Sequence, residues 1–284
     1  MRKALYNGEY VDAEGAMVPM SNRAFRYGDG FFESIRVING EARFVKHHHD
    51  RIVDSCKAFQ INLPESLTVA ALQSMIDKLA EHNGINQGGR VRMTFCRKSS
   101  GLFAPTSNDL EIIAEITPLE DNFFKMNERG MNVDIYPDIK KDINILSVFK
   151  ALNCSLYIMG SIFAQQKKLD DALIQNQRGS IIEGTRSNIF LVSNGVLYTP
   201  SLDDGCVAGT MRMNVINIAL ENNIKVYECS LNPQNLLVAD EIFFTNAIRG
   251  VEWISSYRTK RYFNDMSRKM IGWLNQYINE VGEE

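Results

Sequence analysis

The sequence predicts an α+β protein of two mixed domains, and three observations carry that expectation. Three Asn-Gly pairs interrupt apolar segments, in "LYNGEYV", "RVINGEARF" and "LVSNGVLYT". Each reads as a two-residue hairpin turn, because both central positions of a type I′ turn need positive φ. Antiparallel strands are therefore frequent, which argues against a simple doubly wound parallel sheet. Helical periodicity is equally clear: "SLTVAALQSMIDKLAEHN" sets Val69, Leu72, Met75, Ile76 and Leu79 on one face, and "MSRKMIGWLNQYINEV" closes the chain in the same way. Finally, the strand-like "LEIIAEITPL" gives way near Pro118 to the polar "EDNFFKMNERG". That break places an N-terminal domain over 1–118, a linker over 119–130 and a C-terminal domain over 131–284.

Composition narrows the class of function. A chain of 284 residues with 45% hydrophobic content buries a core large enough for two domains. The net charge of −3 has no basic tail or stripe behind it, so nothing points to nucleic acid. No apolar run approaches the ~20 residues of a membrane span, and the start "MRKALYNGEYVDAEG" lacks the apolar run of a secretory signal. Cys56, Cys96, Cys154, Cys206 and Cys229 are odd in number and form no C-x-x-C pair. They fit reduced thiols in a cytoplasmic protein rather than disulfides or a zinc site. His47, His48 and His49 are adjacent; consecutive positions on a helix point in different directions, so no metal site is expected there.

Two stretches carry candidate chemistry. In "NILSVFKALNCSLYIMG" the lysine Lys150 stands among apolar residues. Burying an ammonium is costly, and a lysine that sheds its proton becomes a nucleophile able to form a Schiff base. The alternative is a lysine whose stem lies on the core while its head reaches water. In "EGTRSNIFLVSNGVLYTP" and the following "CVAGTMRMNVINIAL", Glu183 ends the strand-like "GSIIEG", Asn188 precedes the strand "IFLV", and Gly209 lies where a loop becomes a helix. Free N–H groups at a helix start suit a phosphate, although a Gly-Thr before a helix is equally a plain N-cap. An imine-forming lysine, an acid for a pyridinium nitrogen and an anion cradle are together what pyridoxal 5′-phosphate demands.

At this point the chain resembles a known family. "EGTRSNIF", then "LYT", then "VAGTMR" is similar to the class IV aminotransferase signature, matched at Glu183, Thr185, Asn188, Ile189, Phe190, Leu197, Thr199, Val207, Gly209 and Arg212. Thr210 departs from it, standing where the family usually has Ile or Val. "NRAFRYGDGFFESIRVINGEARFVKHHHDRI" resembles the family's N-terminal block, with His48 and Arg51 on its His-x-x-Arg pattern. The resemblance implies the fold of D-amino-acid aminotransferases, with the cofactor in the interdomain cleft of a homodimer. It implies that Lys150 is the Schiff-base lysine and catalytic proton carrier, and that Glu183 faces the ring nitrogen. It also implies that Arg51 and the N–H groups of Thr210 and Met211 hold the phosphate. Asn188, Val207, Gly209, Asn246 and Ala247 complete the expected cofactor contacts. Residues 103–106 of the partner are expected to cover the site.

The resemblance further implies transamination between an amino acid and a 2-oxo acid, of branched-chain or D-amino-acid type. Arg92 aligns with an arginine that branched-chain enzymes use near the substrate carboxylate, and the alternation of "RVRMTFC" puts Arg90, Arg92 and Thr94 on one face. Arg26, Tyr27 and Phe32 are the other substrate candidates, and the choice among Arg26, Arg90 and Arg92 stays open. Arg186 is either close to the cofactor or a surface charge. "ALNCS" after Lys150 lacks the tyrosine of branched-chain enzymes, and "RKSSGLFAPTSN" lacks the Arg-x-His trap of D-amino-acid enzymes. "FFTNAIRGVEW", with Ala247 where aminotransferases commonly have Thr, is closer to aminodeoxychorismate lyase, the alternative function. A cofactor-binding protein without turnover is the reading outside enzymes.

Overall fold

The computed structural model describes residues 2–15 and 18–281. It divides into two compact units, Met1–Phe123 with Phe149–Asn153, and Phe124–Val148 with Cys154–Glu284. The first is built on six antiparallel strands in the order β2-β1-β6-β5-β3-β4. These are β1 (Lys3–Tyr6), β2 (Glu9–Asp12), β3 (Gly30–Ile38), β4 (Glu41–Ala42), β5 (Gly88–Lys98) and β6 (Asp109–Leu119), with helices α1 (Arg23–Tyr27), α2 (Val45–Phe59) and α3 (Val69–His82). Two of the Asn-Gly pairs close hairpins as expected: Asn7 and Gly8 have φ of 48° and 92°, Asn39 and Gly40 of 55° and 76°.

Along β3 the side chains alternate. Phe31, Ile35 and Val37 enter a core with Ile52 and Cys56 of α2 and Leu72, Ile76 and Leu79 of α3. Phe32 and Ser34 take the other face, where the register sets them against Thr94 and Arg92. Thr68 caps α3 by accepting a hydrogen bond from the Ala71 N–H at 3.2 Å. Val69, expected on the buried face, is exposed; that face begins one turn later, at Leu72.

The segment Phe149–Asn153 falls in the C-terminal domain by the sequence boundary, yet it clusters with the first unit. The reason is a strand edge. The short β4 covers only Val37 and Ile38, which leaves β3 open near Gly30. There Phe32 N–H donates to the Lys150 carbonyl at 2.9 Å and Leu152 N–H to the Gly30 carbonyl at 3.0 Å. Pairing satisfies an edge that would otherwise expose its backbone groups.

The second unit has a nine-stranded sheet. Its strands are β7 (Met131–Ile135), β8 (Asp171–Gln175), β9 (Ile181–Gly184), β10 (Asn188–Ser193), β11 (Val196–Thr199), β12 (Val226–Glu228), β13 (Glu241–Asn246), β14 (Gly250–Tyr257) and β15 (Lys260–Arg261). Its helices are α4 (Ser155–Gln166), α5 (Thr210–Glu221), α6 (Pro233–Val238) and α7 (Asp265–Val281). The order β12-β11-β10-β13-β14-β7-β8-β9 is completed by a return pairing of β9 on β10, so β10, β13, β14, β7, β8 and β9 form a closed ring. The third Asn-Gly pair, Asn194 at φ 50° and Gly195 at 74°, turns β10 into β11. α7 buries Met266, Met270, Leu274 and Ile278 at a spacing of four, one helical stripe. Among the described residues no helix is long and apolar enough to cross a membrane.

One polar cluster interrupts the core of the first unit. Glu33 lies on the helix-facing side of β3, fully buried. It accepts from Arg51 Nε at 2.8 Å and Nη2 at 2.6 Å, and from the His48 Nδ1–H at 2.7 Å. His49 instead meets the Leu67 carbonyl and His47 stacks on Phe44, so the three imidazoles diverge. Burial alone would raise the Glu33 carboxyl, but the Arg51 charge and the hydrogen bonds from His48 and Arg51 hold it down to about 2. Burial lowers His48 against the pull of Glu33. Both groups therefore bind fewer protons folded than unfolded, and stability falls with acid. The loss begins for His48 as pH drops below 6.5 and for Glu33 below 4.5, and the Glu33 share is gone by about 2. Denaturant unfolding at neutral pH should show Glu33→Gln less stable by about 3 kcal/mol or more, since Arg51 is left buried beside a neutral amide. Its acid limb between 4.5 and about 2 should be flatter than that of the wild type.

Candidate active site

In the second unit the sheet ring closes on a carboxylate. The pairing of β9 with β10 sets Glu183 directly against Asn188. Glu183, only 3% exposed, accepts from Lys141 Nζ at 2.7 Å and Tyr157 Oη at 2.8 Å on Oε1, and from the Val207 N–H at 2.8 Å on Oε2. A buried carboxylate needs such donors to offset its desolvation. Burial, followed by the charge and hydrogen bond of Glu183, pushes the Tyr157 hydroxyl well above its ordinary range, so it is a neutral donor. Cys206 is likewise pushed up to about 12 by burial and then by Glu183.

Val207 also ties the carboxylate to the start of α5. The Val207 carbonyl accepts from Asn188 Nδ2 at 2.7 Å and from the Gly209 N–H at 2.8 Å. A Cβ on Gly209 would lie 1.9 Å from Asn188 Oδ1, so only glycine fits there. No side chain caps α5, whose first intrahelical bond runs from Met213 N–H to the Gly209 carbonyl. The N–H groups of Thr210 and Met211 thus have no acceptor within the helix, as at any helix start, and they suit an anion. On β13 and the turn beyond it, Asn246 is committed to the Ile248 and Arg249 N–H groups and to Ser187 Oγ, with Ala247 half-buried beside it.

In the first unit Lys150 is half-buried, and its Nζ stands 4.4 Å from the centroid of the Phe32 ring. The Arg92 guanidinium lies over the same ring at 3.9 Å, so Phe32 gathers two cations. Arg90 shares the strand face of Arg92 but is exposed. Arg26 is exposed as well and donates to the Met20 carbonyl at 2.8 Å, while Tyr27 packs against Phe103 at 5.6 Å between ring centroids. Phe103 is 88% exposed on the β5–β6 loop, which Arg23 fastens through the Leu102 carbonyl at 2.6 Å. Arg51 belongs to the Glu33 cluster described above.

The sequence left the place of Arg186 open. Its side chain is 62% exposed, with Nε 3.8 Å from Asp171 Oδ2. Two partners of Glu183 escaped sequence reading altogether. Lys141 lies in the polar run "DIKKDIN" and Tyr157 in the mostly apolar "SLYIMG", neither of which marks a site. Their signal is the geometry of the fold, since Lys141 lies 42 residues and Tyr157 26 residues from the acid.

The chain is similar to known proteins along most of its length. Residues 30–257 match the family model described as amino-transferase class IV. A Methanocaldococcus jannaschii protein, provisionally named a branched-chain-amino-acid aminotransferase, is 31% identical over 86% of this chain and 83% of its own. A D-alanine aminotransferase of Staphylococcus haemolyticus is 27% identical over 87% of this chain and 86% of its own. The crystal structure of a branched-chain aminotransferase from Thermoproteus uzoniensis superposes with a TM-score of 0.85 at 24% identity, covering 95% of this chain and 92% of that one. A match that spans both units, with relatives of the same length and fold, leaves one conclusion: the chain belongs to the class IV aminotransferases.

Proposed function

We propose that the protein moves an amino group between an amino acid and a 2-oxo acid, with pyridoxal 5′-phosphate as its cofactor. The observation that carries this reading is Glu183, a buried acid beside an uncapped helix start. The residues fit the cofactor. Glu183 has three donors on about four lone-pair positions, which leaves room for a ring N–H. The glycine at 209 lets backbone N–H groups approach a phosphate without a side chain between. When bound, the cofactor supplies a ring that accepts the electrons of the bond broken at the substrate α-carbon.

The protein's own residues do the rest. Lys150 would hold the cofactor through Nζ and would carry the substrate's α-proton at that same atom. Glu183 would hold the ring nitrogen's proton, its carboxylate fixed by the Val207 N–H while the Val207 carbonyl holds Asn188. Thr210 and Met211 N–H groups, with Arg51, hold the phosphate. Arg92 binds the substrate carboxylate, because its guanidinium is oriented over Phe32 beside Lys150. Two copies form the working homodimer, the partner's loop covering the site. The five free thiols suit a reducing compartment, and the cytoplasm is the proposed location. One residue favours the lyase as the second reading: Ala247, which offers no hydroxyl where aminotransferases commonly have Thr.

Purified protein reconstituted with pyridoxal 5′-phosphate should show a visible absorption band. Lys150→Ala should abolish that band and lower turnover by about 10⁴-fold or more; an unchanged band excludes the imine assignment. Glu183→Gln should lower kcat by about 100-fold with a smaller effect on KM. Arg92→Met should raise KM for the amino acid by about tenfold to a hundredfold. A half-reaction screen over D- and L-amino acids, followed as conversion of the cofactor to its amine form, identifies the donor. Release of pyruvate from aminodeoxychorismate without any amino acceptor would support the lyase instead.

A further inference from the structure

Lys141 has no part in the chemistry described so far, yet it is one of the most confined cations of the second unit. It is 12% exposed, its ammonium lies 2.7 Å from Glu183 Oε1, and it stands 5.5 Å from the Tyr157 ring centroid. Its own backbone is fixed on both sides: the N–H donates to the Gln175 carbonyl at 2.9 Å, and the carbonyl accepts from Gln177 at 3.1 Å. A lysine on a long exposed loop would hold its partner loosely; this one is anchored to the end of β8, next to the strand that carries the acid. We propose that Lys141 is a positioning residue that shares the Glu183 carboxylate with the cofactor's ring nitrogen and so sets how firmly that nitrogen keeps its proton.

The inference rests on the cofactor reading above and deepens it. Several neighbours that bring charge or a proton are found among the described residues. Tyr157 on α4 and Cys154 at its N-cap lie on one side, and Cys206 and Asp204 before α5 on another, with Arg212 on α5 beyond them. Asn188 faces the acid from β10, and apolar Ile174 faces it from β8. Tyr157 and Cys206 are both raised and stay neutral. Arg212 is engaged by Glu228 and the Pro200 carbonyl. Lys141 is therefore the cation in hydrogen-bond contact with the acid among the described residues. With a cationic ring on the same carboxylate, two positive groups share one negative charge in a buried place. Each weakens the other's hold, because a like charge nearby disfavours a protonated cation. The ring proton is then held less firmly than a lone glutamate would hold it, which tunes the ring as an electron acceptor.

The test follows the visible band of the pyridoxal-phosphate-loaded protein against pH. Neutralising the lysine in Lys141→Met should raise the midpoint by about one unit or more, while Lys141→Arg, which keeps the charge, should stay with the wild type. If Lys141→Met does not fold, Lys141→Gln keeps a hydrogen-bond donor without the charge and should titrate like the Met variant. A neutral variant that binds cofactor and titrates with the wild type overturns the proposal. A second readout needs no neutral variant. The Lys141 side-chain nitrogen signal, followed by NMR in ¹⁵N-lysine-labelled wild type and identified by its loss in Lys141→Arg, should move when cofactor is added; an unmoved signal overturns the proposal. Failure of the wild type to take up the cofactor at all would overturn the cofactor reading together with this inference. Uptake with unmoved midpoint and signal overturns this inference alone.

Discussion

A buried carboxylate has to be surrounded before it can be used, and the second unit is arranged around that requirement at Glu183. Its three donors come from separate places in the chain: the loop ahead of α4, the helix α4 itself and the peptide before α5. None of them is local to β9. They converge because the sheet bends back on itself, so that β9 finds a partner in β8 on one side and in β10 on the other. The desolvation of an unpaired carboxylate would exceed what a typical hydrogen bond returns, so this closure and the donor set stand or fall together.

Closure also couples the acid to the uncapped start of α5. Val207 donates to Glu183 through its N–H and accepts from Asn188 and Gly209 through its carbonyl. Asn188 is the residue that the ring places opposite Glu183. One residue, through the two peptide groups that flank its Cα, therefore links the acid to the first turn of α5. A ligand with a cationic ring at one end and a phosphate at the other is matched by a rigid ruler rather than by two independent loops. The glycine at 209 is the residue that lets the ruler close, because Asn188 Oδ1 already fills the space a Cβ would need.

What the sequence disclosed follows from how local each signal is. Asn-Gly turns need only two residues in positive φ, and Asn7, Asn39 and Asn194 all adopt it. The stripe of α7 is written at a spacing of four and is seen as written. The signature around Glu183, Asn188 and Gly209 was legible because the residues lie within one short stretch and match a known pattern. Lys150 was legible as an oddity, a charge amid apolar neighbours, but its placement was not. The pairing of its segment on β3 depends on a short β4 leaving an edge open more than a hundred residues earlier. Lys141 and Tyr157 were invisible for the same reason: a lysine in a polar run and a tyrosine in an apolar helix are ordinary until the fold brings them to one oxygen.

The two buried glutamates show that donor number does not decide what an acid is for. Glu33 and Glu183 each accept three of the hydrogen bonds described, and each faces one cation. The cations differ. Arg51 lays a planar fork across both oxygens of Glu33, and a guanidinium keeps its charge at any accessible pH. That pair acts as one rigid unit, which suits a helix that must be locked onto a sheet. Lys141 meets Glu183 at a single oxygen, from a flexible stem and as a point charge. Such a partner can give ground when another cation arrives, and the remaining oxygen is held only by a backbone N–H. Contact at a single oxygen is therefore what separates the acid at 183, whose carboxylate keeps lone pairs to spare, from the acid at 33, clamped across both oxygens.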